Sequence, residues 1–252
     1  MSGKIIAYAN QKGGVGKTTS AVNIGAYVAE ADKKVLLVDF DPQGNLSSSV
    51  GADKGRPGAY DVLMGTSPLD ETVQETTVRN LFVVPSNIDL TGANVELIEE
   101  KDREFFLRNA FAASKLEFDY IFIDCPPSLG LLTLNGLAAA SHVFIPLQCE
   151  YFALEGLSLL LQSIRRVQKS LNPNLGIGGI FFTMYDSRTK LANEVVQEVA
   201  GYFKEKVFKT IIPRNVRLSE APSHGVPINQ YDASCIGAKS YQKLAQEVIH
   251  RV

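Results

Sequence analysis

Short, almost continuous apolar runs alternate along this chain with longer stretches in which apolar residues recur every third or fourth position. The first pattern marks a strand covered on both faces, and the second marks a helix packed along one side. Strands are predicted at residues 5–9, Val35–Asp39, 81–85, 118–124, 143–147, 177–184 and 207–213. Helices are predicted from the polar-apolar stretch carrying Val22, Ile24, Ala26 and Val28, and at residues 103–116, Leu131–Ala139, 152–167, 191–203 and 236–250. Strands that alternate with helices in this way predict an α/β fold, a doubly wound and mostly parallel sheet with helices on both faces. Between residues 51 and 77 the pattern breaks into Gly, Pro and Asp punctuation around a short helical piece at residues 60–64, which reads as surface with no assignable chemistry.

The turn between the first strand and first helix carries the chemistry. Residues 10–20 read Asn-Gln-Lys-Gly-Gly-Val-Gly-Lys-Thr-Thr-Ser. Gly13, Gly14 and Gly16 let the backbone turn tightly and point successive N–H groups inward, and the helix that follows adds positive potential. Lys17 is placed to reach the outer phosphates of a nucleoside triphosphate, and Thr18 to offer its hydroxyl to Mg²⁺. The segment Lys12, Gly13, Gly14, Val15, Gly16, Lys17, Thr18 and Thr19 is therefore the candidate phosphate cradle. It departs from the common G-x-x-x-x-G-K-[ST] pattern, with Gln11 where a glycine is usual and a second lysine, Lys12, beside it. Two lysines crowded at a strand end repel one another unless an anion is present.

Carboxylates close other strands. Asp39 and Asp41 stand at the end of the second run and are expected to face the same crevice as Lys17, since ligands of open α/β sheets lie beyond the carboxyl ends of the strands. Residues 42–45 then leave as a mobile turn. Asp124 ends the run that begins at Phe118, before Pro126 and Pro127 stop the ladder, and a carboxylate there suits a Mg²⁺ site opposite Thr18. Pro213 and Asn215, at the exit of the last predicted strand, are candidates to sandwich a purine ring.

Composition narrows the class. The chain has 252 residues, 45% of them hydrophobic, and no linker, repeat or low-complexity tract, so residues 1–252 are expected to form a single domain. The first apolar run is too short for a signal peptide, and the most apolar window, residues 129–147, is broken by Asn135, Gly136, Ser141, His142 and Pro146. A cytoplasmic protein without a membrane span is expected. Cys125, Cys149 and Cys235 lack C-x-x-C spacing and read as reduced thiols. The net charge of −2 conceals an asymmetry: residues 1–159 hold 12 Lys and Arg against 20 Asp and Glu, and residues 160–252 hold 13 against 7. A basic carboxyl-terminal part suggests an anionic partner.

The run Lys12–Thr19 resembles the deviant Walker A motif of the ParA/MinD group of P-loop ATPases. With residues 38–45 (Val-Asp-Phe-Asp-Pro-Gln-Gly-Asn), 123–127 and 212–223, the whole chain resembles a ParA-family partition ATPase of the chromosomal, Soj-type branch. The resemblance implies a P-loop NTPase that binds ATP and Mg²⁺ and hydrolyses ATP slowly. It also implies an ATP-dependent homodimer in which Lys12 crosses to the other subunit's phosphates, non-specific binding of that dimer to double-stranded DNA, and a ParB-type centromere-binding protein that stimulates hydrolysis. In this picture Lys12, Lys17 and Asp41 are catalytic, Asp41 placing the attacking water, while Arg188 and Arg217 contact DNA and the protein sits on the nucleoid. The alternatives are a MinD-like membrane-associated positioning ATPase, which calls for a basic amphipathic tail that residues 236–250 do not offer, an iron-sulfur ATPase, whose glycine-flanked cysteines are absent, and a metabolic P-loop enzyme.

Overall fold

The computed structural model describes residues 3–252, in which the apolar runs assemble into one seven-stranded sheet. In chain order the elements are β1 (Lys4–Tyr8), α1 (Lys17–Glu30), β2 (Val35–Asp39), α2 (Asn45–Ser49), α3 (Ala59–Met64), α4 (Leu69–Thr72), β3 (Gln74–Glu75), β4 (Leu81–Val84), α5 (Leu90–Glu96), α6 (Phe106–Ala113), β5 (Tyr120–Asp124), α7 (Leu131–Ala139), β6 (His142–Gln148), α8 (Ala153–Ser170), β7 (Gly176–Thr183), α9 (Lys190–Phe203), α10 (Arg217–Glu220), α11 (Ile228–Asp232) and α12 (Ile236–Arg251). The strand order is β3-β4-β2-β5-β1-β6-β7, parallel throughout except for β3, which pairs antiparallel with β4.

Period-two alternation along the strands builds two cores. Ala7, Leu36, Val38, Ile121, Ile123, Val143 and Ile145 pack under Leu63, Leu90, Leu107, Leu137, Leu160 and Val199 of α3 and α5–α9. Ile6, Tyr8, Val35, Leu37, Phe122 and Phe144 face the other way, onto Ile24 and Val28 of α1, Leu46 of α2, Ile228 of α11 and Leu244 and Val248 of α12. Both faces are therefore apolar and covered, as the continuous runs predicted. Among the described residues no helix is long and apolar enough to cross a membrane, and the three cysteines are free thiols, with only Cys125 fully buried.

Four expectations are corrected. Residues 207–213 do not form a strand. Phe208 N and Ile212 N donate to Ile180 O and Phe182 O, but between them Lys209 N and Thr210 N turn to the Glu247 carboxylate of α12, each at 2.8 Å, which lifts the segment off the sheet edge and leaves isolated bridges at Val207 and Pro213. Residues 51–77 are not all surface, because Ala59, Val62, Leu63 and Leu69 enter the core and Gln74–Glu75 supplies the antiparallel edge strand. The turn after Asp41 closes through Gly44 N to Asp41 O at 2.9 Å and runs straight into α2, with Gly44 at φ 63°. The helix expected at 103–116 splits into a 3₁₀ turn, Arg103–Phe105, and α6.

A bulge near the start of β7 shapes the sheet edge that Phe208 covers. The β6 register passes from Val143 opposite Ile177 to Phe144 opposite Gly179, leaving Gly178 as the extra residue. The space left by the two glycines admits Phe144 and Phe208, whose rings meet edge to face at 5.3 Å. A Cβ on Gly179 would lie 2.1 Å from the Phe208 ring. Gly179→Ala is expected to cost about 1–3 kcal/mol by overpacking and to lower the thermal midpoint by roughly 2–12 °C. Calorimetry of the variant reads this directly, and an unchanged midpoint would mean that the ring yields freely.

Candidate functional site

Parallel pairing brings the carboxyl ends of β1, β2 and β5 side by side, with Tyr8 in register with Asp124 and Asp124 in register with Asp39. The glycine-rich turn leaves β1 at this edge. Gly14 and Gly16 take φ of 73° and 86°, a region that side chains disfavour, and a Cβ on Gly13 or Gly14 would meet only open space. That space belongs to a cavity of about 600 Å³ bounded by the turn, by Asp41, and by Pro213, Arg214 and Asn215 on the far side. A second cavity of about 570 Å³, between residues 62–70 and α6, contains no lysine or arginine. The first, with Lys17 beside its glycine turn, is the candidate phosphate site.

The turn is braced from two strands. Asn10, 6% exposed, donates from Nδ2 to Pro146 O at 2.8 Å while its Oδ1 accepts from Lys12 N at 3.0 Å. Thr183 at the end of β7 donates to Val15 O at 2.8 Å. Neither role was read from the sequence, although an amide directly after a strand and before the glycines is the available signal for Asn10. Lys17, only 6% exposed, donates to Asn10 O at 3.1 Å and Lys12 O at 3.3 Å. Burial lowers its pKa, an effect that the nearby Asp124 opposes.

Asp124 lies beneath Thr18, which donates to its Oδ2 at 2.6 Å. The other oxygen, Oδ1, is buried with no hydrogen-bond partner among the described residues. Burial, and next the neighbouring Asp39, push this carboxyl well above the usual carboxylate range, against the Thr18 hydrogen bond and Lys17. An orphaned carboxylate oxygen beside a hydroxyl is a hard oxygen donor set, and it fits Mg²⁺.

The remaining candidates divide. Asp41 borders the cavity, with Oδ1 accepting from Gln43 N at 3.0 Å. Asp39 does not face the crevice as expected: it is fully buried, and Ser47 N and Ser47 Oγ donate to its Oδ2 at 2.8 and 2.6 Å. It anchors α2 beneath the Asp41 turn. Gly13, Gly14, Gly16, Thr18, Thr19, Pro213 and Asn215 line the cavity. Val15 is instead buried, and the Asn215 Oδ1 caps the following turn through Arg217 N at 3.0 Å. Arg214, which borders the cavity, was not singled out. The Lys12 ammonium turns away to form an ion pair with Glu150.

Arg188 and Arg217 follow two loops that the Tyr185–Pro213 bridge holds together at one corner. Both are solvent-facing and both are paired within the chain. Arg188 meets Asp186 at 2.6 Å, and Arg217 meets Glu220 at 2.8 Å and Asp232 at 3.6 Å.

A family model described as an AAA domain matches residues 3–177. The chain is 64% identical over 249 residues to the chromosome-partitioning ATPase Soj of Treponema pallidum, covering 99% of this chain and 98% of that protein. It is 55% identical to the sporulation initiation inhibitor protein Soj of Bacillus subtilis, covering 98% of each. Among solved structures it is similar to cobyrinic acid a,c-diamide synthase from Mycobacterium smegmatis with bound ATP analog and magnesium, at a TM-score of 0.85 and 38% identity, covering 98% of this chain and 95% of that one.

Burial raises the Asp39 carboxyl from the ordinary 3.8 to about 6. Folding therefore takes up a proton between those values, and the stability carried by the protonated form is complete below pH ~4 and lost as pH rises to ~6, by about 3 kcal/mol. Asp39→Asn is expected to remove that part of the fall in unfolding free energy of the ligand-free chain, measured by urea titration across the window. An unchanged slope would contradict the buried, high-pKa carboxyl.

Proposed function

The chain belongs to the Soj/ParA family of chromosome-partitioning ATPases, and we propose that it acts there as a nucleotide-timed switch that pairs, binds DNA and lets go. It is an ATPase. The observation that carries the switch reading is the placement of its two loop lysines: Lys17 is buried at its own cradle, whereas the Lys12 side chain is 51% exposed and points away from it. A lysine held outside its own phosphate site is placed where the phosphates of a second copy could recruit it.

In this reading ATP lies in the cavity of about 600 Å³, its base between Pro213 and Asn215 and its phosphates over Gly13, Gly14 and Gly16. Lys17 exchanges two backbone carbonyls for phosphate oxygens, which relieves the cost of burying its charge. Thr18 and Asp124 hold Mg²⁺, which neutralises charge on the phosphates. Asp41 positions the attacking water, and Lys12 from the partner copy stabilises the charge that spreads over the γ-phosphate oxygens. Because that charge arrives only on pairing, the monomer stays nearly inactive and hydrolysis reports assembly. Residues 1–252 act as one ATPase domain.

The paired form binds double-stranded DNA without regard to sequence, through Arg188 and Arg217 of each copy, and a ParB-type centromere-binding protein stimulates hydrolysis and release. The carboxylates that now hold both arginines must give way to phosphate, so each contact is weaker than a free arginine's. The setting is the nucleoid. A membrane-associated role in the manner of MinD is disfavoured by α12, whose Tyr241, Leu244 and Val248 are buried in the core. A metabolic role like that of the Mycobacterium enzyme is disfavoured by the higher identity to partitioning ATPases.

Duplex DNA of random sequence, titrated with ADP, with ATP and with Asp41→Ala plus ATP, tests the switch. Tight binding is expected only with ATP. Two arginines per copy give about four phosphate contacts and a log-log salt slope near −3.6, so affinity is expected to fall roughly a hundredfold between about 50 and 200 mM salt. Binding that ignores nucleotide or salt would contradict the reading. Three substitutions separate the steps: Lys17→Ala is expected to lose nucleotide binding or productive pairing, Lys12→Ala to bind ATP without hydrolysing it, and Asp41→Ala to give a long-lived dimer on DNA. Turnover assays and size measurement in ATP check each, and rapid hydrolysis by Asp41→Ala would remove that residue from its role.

A further inference from the structure

Lys12 is not free in the resting chain. Its ammonium is held by the Glu150 carboxylate, across a sequence separation of 138 residues. Glu150 stands in the turn between β6 and α8, where its N–H donates to Gln148 O and its carbonyl accepts from Ala153 N, both at 2.9 Å. The carboxylate is therefore presented from a hydrogen-bonded turn at the exit of β6, the strand next to β1. The following residues, Tyr151 and Phe152, pack edge to face at 5.0 Å and are 76% and 68% exposed. Two large aromatic rings in solvent beside a lysine turned outward mark a face suited to being covered, and the occupant that also supplies an anion for Lys12 is a second, ATP-loaded copy of this chain.

We propose that Glu150 is a positioning residue for Lys12: it parks the ammonium in the monomer, and the ion pair must open before Lys12 reaches the partner's phosphates. The inference rests on the switch reading above. A lysine paired with its own subunit's carboxylate must leave it to reach a phosphate, so Glu150 competes with phosphate for Lys12. Both members of the pair are about half exposed, and pairs of that kind are weak, worth roughly a 1.4- to 5-fold factor each. Two pairs open per dimer, so the effect on the dimer dissociation constant is the square, roughly 2- to 30-fold. The device is thus a threshold that ATP overcomes.

The test uses the full-length chain carrying Asp41→Ala to block hydrolysis, with saturating Mg-ATP. Glu150→Gln keeps the shape and the backbone turn but removes the charge. Sedimentation equilibrium is expected to show the dimer dissociation constant reduced 2- to 30-fold by this substitution, with no such change when Lys12→Ala is also present. An unchanged constant, or equal tightening in the Lys12→Ala chain, overturns the proposal, since a role of Glu150 in the turn or in general surface charge does not depend on Lys12. The wider reading fails separately: the parent Asp41→Ala chain would then remain monomeric in ATP.

Discussion

Parallel register sets Asp39 beside Asp124 at the carboxyl edge of the sheet, and the glycine turn into α1 buries Lys17 at the same corner. Such charges are costly away from water unless each is paired or hydrogen-bonded. Asp39 is satisfied within the chain, by Ser47. Among the described residues Lys17 donates to backbone carbonyls alone, and Asp124 has one oxygen bonded to Thr18 and one without a hydrogen-bond partner. A phosphate and a divalent cation are the chemical complements of those two side chains. Asn10 and Thr183 hold the turn in place while those charges wait.

The same corner explains the division between the two lysines. Lys17 follows the turn into the first position of α1 and is fixed beneath the cavity. Lys12 precedes the turn, with its N–H tied to Asn10 and its side chain carried across to the β6 exit. A difference of five positions thus separates a lysine buried beside the glycine turn from one half exposed at the β6 exit. The arginines of the basic part are arranged similarly, each held by a carboxylate of its own loop. Lys12, Arg188 and Arg217 are thus each paired with a carboxylate of the same chain.

Much of this was legible in the sequence because it is local. A glycine-rich turn after an apolar run, Asp124 at the end of another and two-sided apolar strands depend on neighbours within a few positions, and β1, β2, β5 and β6 formed as expected. What was misread depends on distant partners. Residues 207–213 have the composition of a strand, but Glu247, far along the chain, takes two of the N–H groups that the ladder needed. Asp39 looked equivalent to Asp41 until Ser47 folded back onto it. The core-facing residues between 51 and 77 are too few and too widely spaced to show a period, and Glu150 carries no local mark at all.

We propose that the buried charges at the start of α1 and the end of β5 form a magnesium-triphosphate site. A crystal structure of this chain with a non-hydrolysable ATP analogue and Mg²⁺ tests it most directly. The Lys17 ammonium is expected to have left the carbonyls of Asn10 and Lys12 for phosphate oxygens, with Mg²⁺ held by Thr18 and Asp124. Nucleotide bound elsewhere, or bound with Lys17 still on those carbonyls and no cation beside Asp124, would contradict it.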